Sequence, residues 1–143
     1  MNRTPVDIVS AFLDAWSEGP EPLEKALRAL FRPDTRWTNM GLSETIGVEE
    51  ALALGARFEA AMGYAKILVD TVHIAACGNI VLTERIDRLV AADGREIAAF
   101  SIAGVFELDD DGKLVRWRDY TDPSAIAAIH GHEPDKDRRT PIA

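Results

Sequence analysis

The order of helical and extended segments along the chain constrains the fold more than any other feature of the sequence. Before residue 62 apolar residues recur mostly at helical spacing, whereas after residue 64 they follow strand patterns. Short turns at residues 77–79, 93–94 and 109–112 separate the later segments, so consecutive strands should form antiparallel hairpins. Helices and strands segregated in this way predict an α+β fold rather than an alternating α/β fold.

Local signals mark where the helices begin and end. Thr4 can cap a first helix, Pro5 suits its first turn, and Asp7 completes a capping-box pattern with Thr4. Gly19 and Pro20 end this helix. The remaining elements expected from the pattern are helices over 22–31, 47–62 and 123–130, a loop over 41–46, and strands over 35–40, 64–76, 79–91, 95–108 and 113–121.

Length and composition indicate one domain without a membrane or nucleic-acid partner. The 143 residues fit a single α+β pocket domain, which we place at residues 1–130, followed by a polar C-terminal tail over 131–143. The net charge of -8 argues against nucleic acid and anionic membranes, which are bound through clustered positive charge. No stretch approaches the roughly 20 apolar residues of a membrane span, and the N-terminus has no apolar signal region. A cytoplasmic location is therefore expected.

The sequence offers no convincing metal or cofactor site. His130 and His132 form a pair without further ligands at suitable spacing, and His73 lies alone on a predicted strand. The acidic turn at residues 109–112 lacks the later glutamate of a calcium loop. Cys77 is the single cysteine, so it cannot form an intrachain disulfide, and nothing in the sequence indicates a base that would activate it. We therefore expect neither a metal nor a cofactor.

Strand alternation brings charged residues onto an otherwise mostly apolar face. In residues 81–89, one face carries Val81, Thr83, Arg85, Asp87 and Leu89. A tight turn at residues 93–94 pairs this strand with the next so that Asp87 lies opposite Phe100 and Arg85 opposite Ile102. Both charged side chains should then be partly desolvated.

The last strand places a second carboxylate on the core side. Val115, Trp117 and Asp119 share the more apolar face of this strand, which should point inward. One arginine, Arg85, can hold two carboxylates through its fork of donors. Such a cluster is compatible with two interpretations: a buried structural ion pair, or an acid–base pair in which one carboxyl is protonated and the other ionised.

These residues resemble a known enzyme family. Residues 83–87 (TERID), 104–106 (GVF) and 117–120 (WRDY) are similar to segments of the limonene-1,2-epoxide hydrolases, and the likeness is closest over residues 80–122. That family shares its fold with nuclear transport factor 2 and ketosteroid isomerase. The resemblance implies a cone-like, curved mixed β-sheet with N-terminal helices closing the pocket.

The resemblance also implies a one-step mechanism that uses no covalent intermediate. Asp119 would take a proton from water, Asp87 would donate a proton to the epoxide oxygen, and Arg85 would bridge the two. The family positions its water with a tyrosine and an asparagine two residues apart. Asn39 matches the asparagine, but Trp37 occupies the tyrosine position, and an indole has one donor and no acceptor. Trp37 is also compatible with a plain core aromatic.

The resulting hypothesis is the hydrolysis of a small, mostly apolar epoxide to a diol. The residues expected to bind this substrate are Trp37, Val81, Leu89, Phe100, Ile102, Trp117, Leu30, Phe58 and Met62. One alternative is epoxide opening by a hydroxyl group of the substrate itself, as in related cyclases, or a ketosteroid-isomerase-like proton shuttle. Another is a non-catalytic ligand-binding module of the same fold.

A homodimer is expected, chiefly because the resemblance implies one. The outward face of the strand at 79–91 carries Leu82, Ile86 and Val90 between Glu84 and Arg88. This face is more apolar than a solvated surface needs to be, so it is a candidate for the contact between subunits.

Overall fold

The computed structural model describes residues 3–122 and residue 124. Three helices and six strands follow one another in this part of the chain: α1 (Pro5–Glu18), α2 (Pro20–Leu30), β1 (Phe31–Asn39), β2 (Ser43–Ile46), α3 (Gly47–Met62), β3 (Lys66–Cys77), β4 (Ile80–Val90), β5 (Glu96–Leu108) and β6 (Leu114–Tyr120). The helix predicted over 123–130, the tail over 131–143 and the boundary between them fall outside the described residues, apart from residue 124.

The six strands form one mixed sheet in the order β2-β1-β6-β5-β4-β3. Strands β1 and β6 run parallel, and every other neighbouring pair is antiparallel. The sheet is curved and does not close, so β2 and β3 are its edges. The predicted α+β class with a curved mixed sheet is therefore confirmed.

Helix α1 begins as the sequence predicts and packs against the sheet. Thr4 and Asp7 form the reciprocal hydrogen bonds of a capping box. Near the end of the helix, the Ser17 hydroxyl accepts a hydrogen bond of 2.9 Å from the Val69 N–H, which ties α1 to β3. Between the helices and the sheet lies the larger core cluster, formed by Val9, Phe12, Leu13, Leu27, Leu30, Phe31, Trp37, Ala51, Val81, Phe106, Leu108, Leu114 and Trp117.

The region between α2 and α3 differs from the prediction. We expected a helix to continue to Phe31 and a loop over 41–46, but β1 already begins at Phe31 and β2 occupies Ser43–Ile46. Pro33 does not prevent β1 from forming because it lies in the irregular stretch between the paired residues Phe31 and Arg36. The sequence pattern missed β2 because a four-residue edge strand is too short to show alternation.

The register between β4 and β5 follows the prediction at the charged residues. Asp87 pairs with Phe100, and Arg85 pairs with Ile102. The turn itself is different: the Ala91 N–H donates to Arg95 O, so the chain reverses over residues 92–94. This longer turn shifts the register by one residue, and a β-bulge at Ile97 shifts it back.

The faces predicted for the start of β6 are wrong, because a second bulge lies there. Glu107 pairs with Arg116 but Leu108 pairs with Leu114, which leaves Val115 as the extra residue. Val115 is therefore 39% exposed, although we expected it to point inward, and Leu114 is buried instead. Val90, at the end of β4, is also buried and does not contribute to the outer face.

Candidate active site

Arg85 lies at the centre of the site and binds two carboxylates. Its Nε and Nη2 donate to the two oxygens of Asp87 at 3.3 and 3.2 Å. Its Nη1 and Nη2 donate to the two oxygens of Asp119 at 3.0 and 2.9 Å. Arg85 is 1% exposed, and the Phe106 ring centroid is 6.0 Å from its guanidinium carbon. The guanidinium is thus fixed by strands β4, β5 and β6 together.

The two oxygens of Asp119 have different environments. Oδ1 accepts from Arg85 Nη1 and, at 2.7 Å, from the indole Nε1 of Trp117. Oδ2 accepts only from Arg85 among the described residues. Trp117 precedes Asp119 by two positions on β6, so strand alternation places both on the inner face. Oδ2 is therefore the oxygen with capacity for a further hydrogen bond.

Burial and charge set the protonation of the cluster. Desolvation raises the pKa of the Asp87 carboxyl, an effect that the Arg85 charge opposes and the nearby Asp119 charge reinforces. Burial alone would lower the pKa of Arg85, but the charges and hydrogen bonds of Asp119 and Asp87 raise it. Arg85 is thus a permanent cation, and Asp87 takes up a proton more readily than an exposed aspartate.

The cluster faces a cavity of about 280 Å³ between the helices and the inner face of the sheet. Among the predicted site residues, the cavity is lined by Trp37, Asn39, Phe58, Arg85, Asp87, Leu89, Phe100, Ile102, Trp117 and Asp119. The sequence analysis did not name the other lining residues: Leu13, Trp16, Leu42, Ser43, Leu54, Gly55, Tyr64, Ile67, Val69 and Thr121. The wall is mostly apolar, and its charged groups, Arg85, Asp87 and Asp119, lie together.

Three residues predicted to bind substrate lie elsewhere. Val81 and Leu30 belong to the core between α1, α2 and the sheet, and neither borders the cavity. Met62, at the end of α3, packs in a smaller cluster with Leu89 and Phe100 behind the cavity wall. All three do point inward, as predicted, but an inward direction does not distinguish a cavity wall from the packed core beneath it.

The end of β1 lies next to the carboxylates. Asn39 pairs with Asp119 in the parallel β1–β6 ladder, and its Nδ2 donates to Ser43 Oγ at 3.2 Å. Trp37 stacks on Trp117 with ring centroids 4.5 Å apart. The Trp37 Nε1–H is buried and has no hydrogen-bond partner among the described residues. Trp37 is thus a core aromatic that also borders the cavity.

Two small residues make room for Arg85 and hold it. The Thr83 hydroxyl accepts from Arg85 Nη1 at 3.2 Å. Gly104 lies opposite Thr83, and a Cβ at this position would be 2.5 Å from Arg85 Nη1 and 2.7 Å from Asp119 Oδ1. The sequence analysis placed Thr83 on the correct face but did not assign it to the site. Its position two residues before Arg85 on that face was the available signal.

Tyr64 adds a further titratable group to the cavity wall. Desolvation raises the pKa of Tyr64 to about 12, so the phenol is neutral near pH 7. Its ring packs against Phe58 with centroids 5.6 Å apart. Within residues 3–122 and 124, no three His, Cys, Asp or Glu side chains are grouped as a metal site, and no helix is long and apolar enough to cross a membrane.

Comparison with known proteins points to the same family that the site residues resemble. A model of the limonene-1,2-epoxide hydrolase catalytic domain matches residues 3–130. The chain is 30% identical to an LEH-like epoxide hydrolase from M. tuberculosis, with 87% of each chain covered and a TM-score of 0.69.

More distant structures share the fold. A SnoaL-like protein from Jannaschia sp. CCS1 is 20% identical, with 94% of this chain and 99% of that chain covered and a TM-score of 0.71. An NTF2-like protein of unknown function from Burkholderia pseudomallei is 19% identical over 90% of this chain and 98% of that one, with a TM-score of 0.71. At these identities the likeness concerns the fold alone. The match over residues 3–130 is more specific, and it shows that the chain belongs to the limonene-1,2-epoxide hydrolase family.

Proposed function

We propose that the protein is an epoxide hydrolase that opens a small, mostly apolar epoxide to a diol by one-step attack of water. The observation that carries this proposal is the Arg85 fork, which holds Asp87 and Asp119 side by side at the wall of an apolar cavity. A purely structural ion pair has no need of a cavity. Here both carboxylates border the space that a ligand would occupy.

The two carboxylates have complementary roles in this reaction. Asp119 takes a proton from water at Oδ2 while the water oxygen forms a bond to an epoxide carbon. The carbon–oxygen bond of the ring breaks, and Asp87 gives its proton to the leaving oxygen. The raised pKa of Asp87 suits the acid, and the Trp117 and Arg85 hydrogen bonds to Asp119 orient the base. One proton must return from Asp119 to Asp87 before the next turnover.

We propose that residues at the end of β1 bind the nucleophilic water next to Asp119. Asn39 is adjacent to Asp119 in the sheet and borders the cavity. The indole at position 37 has one donor and no acceptor, unlike the tyrosine that the family has there, and its Nε1–H is buried. A water that donates to Asp119 and Asn39 keeps a lone pair for the epoxide carbon.

The cavity limits the substrate in size and polarity. Its volume of about 280 Å³ suits a compact molecule, and its wall includes Phe58, Leu89, Phe100 and Ile102. One guanidinium and two carboxylates give the cluster no excess positive charge when both carboxylates are ionised, so an anionic substrate is disfavoured. We therefore propose neutral, lipophilic epoxides of about the size of a monoterpene.

The test is diol formation from terpene, styrene and cyclohexene oxides. In ¹⁸O-labelled water, the label should enter the diol in a single turnover, because no covalent enzyme intermediate forms. Asp119→Asn and Asp87→Asn should each lower the rate by about 10²–10⁴. A folded wild-type protein that forms no diol from any of these epoxides would refute the proposal.

The tryptophan at position 37 supports a second candidate function, in which external water is not the nucleophile. Loss of the family tyrosine weakens water binding more than it affects the acid, Asp87. The same acid and base would then open an epoxide with a hydroxyl group of the substrate, or move a proton within it as in ketosteroid isomerase. A cyclised or isomerised product would identify this reaction. A non-catalytic binding module would instead keep its ligand affinity, with no activity to lose, in Asp119→Asn.

We also propose that the protein acts as a homodimer in the cytoplasm. Leu82 on β4 is 48% exposed, and its neighbour on β5 is Val105. This outer face of the sheet lies opposite the cavity, so pairing through it leaves the cavity free.

A further inference from the structure

The side-chain amide of Asn39 is held by a residue on the neighbouring strand. Its Nδ2 donates to Ser43 Oγ at 3.2 Å, and the two residues are register partners in the β1–β2 pair. The turn between them is closed by the Leu42 N–H, which donates to Asn39 O at 2.9 Å. Asn39 and Ser43 both line the cavity that contains Asp119. This hydrogen bond engages Nδ2 and leaves Oδ1 of Asn39 for other partners.

The direction of this amide matters for a water molecule beside Asp119. An asparagine amide has an acceptor oxygen on one side and a donor nitrogen on the other. While Nδ2 is bound to Ser43, Oδ1 of Asn39 can accept a hydrogen bond from the water, whose other hydrogen is directed to Asp119. A reversed amide would direct an N–H at the water, which would remove one of the two acceptors that aim its lone pair at the epoxide carbon.

We propose that Ser43 is a positioning residue for the reaction, because its hydroxyl fixes the Asn39 amide with Oδ1 toward the nucleophilic water. This inference rests on the proposed epoxide hydrolysis. The backbone of Asn39 is fixed independently: Asn39 pairs with Asp119 between β1 and β6, and the Met40 N–H donates to Asp119 O at 2.9 Å. The sheet thus sets where Asn39 lies, and the Ser43 hydroxyl holds its side-chain amide.

The first test compares two variants at position 43 on an epoxide that the wild type hydrolyses. In Ser43→Ala, kcat should fall by roughly 10- to 100-fold, because the nucleophile is misplaced while the apolar substrate wall is intact, and KM should change little. Ser43→Thr keeps a hydroxyl and should recover most of kcat. Thr45→Val is the matched control: Thr45 lies on the same strand, and its buried hydroxyl has no partner among the described residues. This control should leave kcat unchanged.

A double-mutant cycle distinguishes positioning from direct contact with the substrate. In an Asn39→Ala background, Ser43→Ala should cause no further loss of kcat, because the amide that it orients is gone. A further loss of full size would mean that Ser43 contacts the substrate itself, and it would overturn the proposal. An unchanged kcat in Ser43→Ala alone would overturn it as well.

An NMR measurement tests the amide without relying on hydrolysis. The side-chain amide signals of Asn39 should move in Ser43→Ala and stay in place in Thr45→Val. Unmoved signals in Ser43→Ala overturn the inference even if the wild type makes diol. If the wild type makes no diol but the Asn39 signals move, the proposed function fails while the role of Ser43 in orienting Asn39 stands.

Discussion

Burial raises the pKa of the Asp87 carboxyl, and the charge of Arg85 offsets only part of this effect. An acid whose folded-state pKa lies above its unfolded value costs stability when ionised, and the cost is relieved as the pH falls through the folded pKa. Asp87→Asn should therefore melt at the wild-type temperature or above it at pH 8. Its activity should fall by about 10²–10⁴-fold, because the general acid is lost. In thermal melts between about pH 5 and pH 8, the melting temperature of the wild type should rise relative to that of the variant as the pH falls. A variant that melts far below the wild type at pH 8 would contradict this expectation.

Arg85 should contribute to stability as well as to catalysis. Arg85→Ala leaves Asp87 and Asp119 buried together without a counter-ion, which should lower the free energy of unfolding by about 3–5 kcal/mol at neutral pH. The pKa of Asp87 then rises further, so lowering the pH toward about 5 should recover part of the loss. The matched control is Arg88→Ala on the same strand, where the ion pairs with Asp70 and Glu96 are exposed and contribute little to stability. Equal melting of the two variants would show that Arg85 is not buried between the aspartates.

Gly104 should tolerate no side chain, because its neighbours are the charged groups of the site. A Cβ there would be 2.5 Å from Arg85 Nη1 and 2.8 Å from Thr83 Oγ1. Gly104→Ala should therefore lower the free energy of unfolding by about 1–3 kcal/mol and displace the guanidinium, with loss of diol formation. Gly55→Ala is the control for stability, since a Cβ on that helical residue meets nothing within 4 Å and should stabilise α3 by about 0.4–1 kcal/mol. Wild-type activity in Gly104→Ala would contradict the close packing around Arg85.

The pairing of β4 with β5 shows which features of an element can be predicted from sequence. Alternation has a fixed period of two, so the face that carries Arg85 and Asp87 follows directly from the order of residues. The bulge at Ile97 could not be predicted, because it depends on how the turn at 92–94 closes and not on a local pattern. The predicted register was right at Asp87 because a turn that is one residue longer and a one-residue bulge cancel each other.

This cancellation predicts different outcomes for two deletions in β5. Deleting Ile97 removes the bulge but keeps Phe100 opposite Asp87, so the site should form and hydrolysis should persist. The variant should lose about 1–3 kcal/mol of stability, because Ile97 packs against the cluster of Met62 and Phe100. Activity and thermal melts of both deletion variants provide the measurement.

Deleting Ser101 is the contrasting case in the same strand. Either Phe100 or the residues after it must then turn to the outer face, and hydrolysis should be lost. If the Ser101 deletion is active and the Ile97 deletion is not, the register described here is wrong.

At the scale of the whole molecule, the sequence predicts that a side chain points inward, but it does not predict whether the side chain borders the cavity or lies in the packed core. Val81 and Arg85 share one face of β4, but Val81 lies under α1 in the packed core and Arg85 lies at the cavity. The difference arises because large residues of α1, among them Phe12, fill the space above one end of the sheet. Leu13, the next residue, and Trp16, one turn further on, border the cavity instead. Where the core ends and the cavity begins is set by helix placement, which no single strand encodes.

Subunit pairing is the prediction that involves the whole molecule. The outer sheet face carries Leu82, 48% exposed, beside Val105, and we expect a second copy of the chain to cover these apolar side chains. Sedimentation at micromolar concentration should show a dimer for the wild type and a folded monomer for Leu82→Glu. Ile46→Glu is the matched control: Ile46 is 46% exposed but lies on β2, at the far edge of the sheet, and its replacement should leave the dimer intact. The cavity opens on the other side of the sheet, so the Leu82→Glu monomer should keep its diol-forming activity. A wild type that sediments as a monomer would refute the dimer, and dissociation by Ile46→Glu alone would move the contact from the sheet face to the β2 edge.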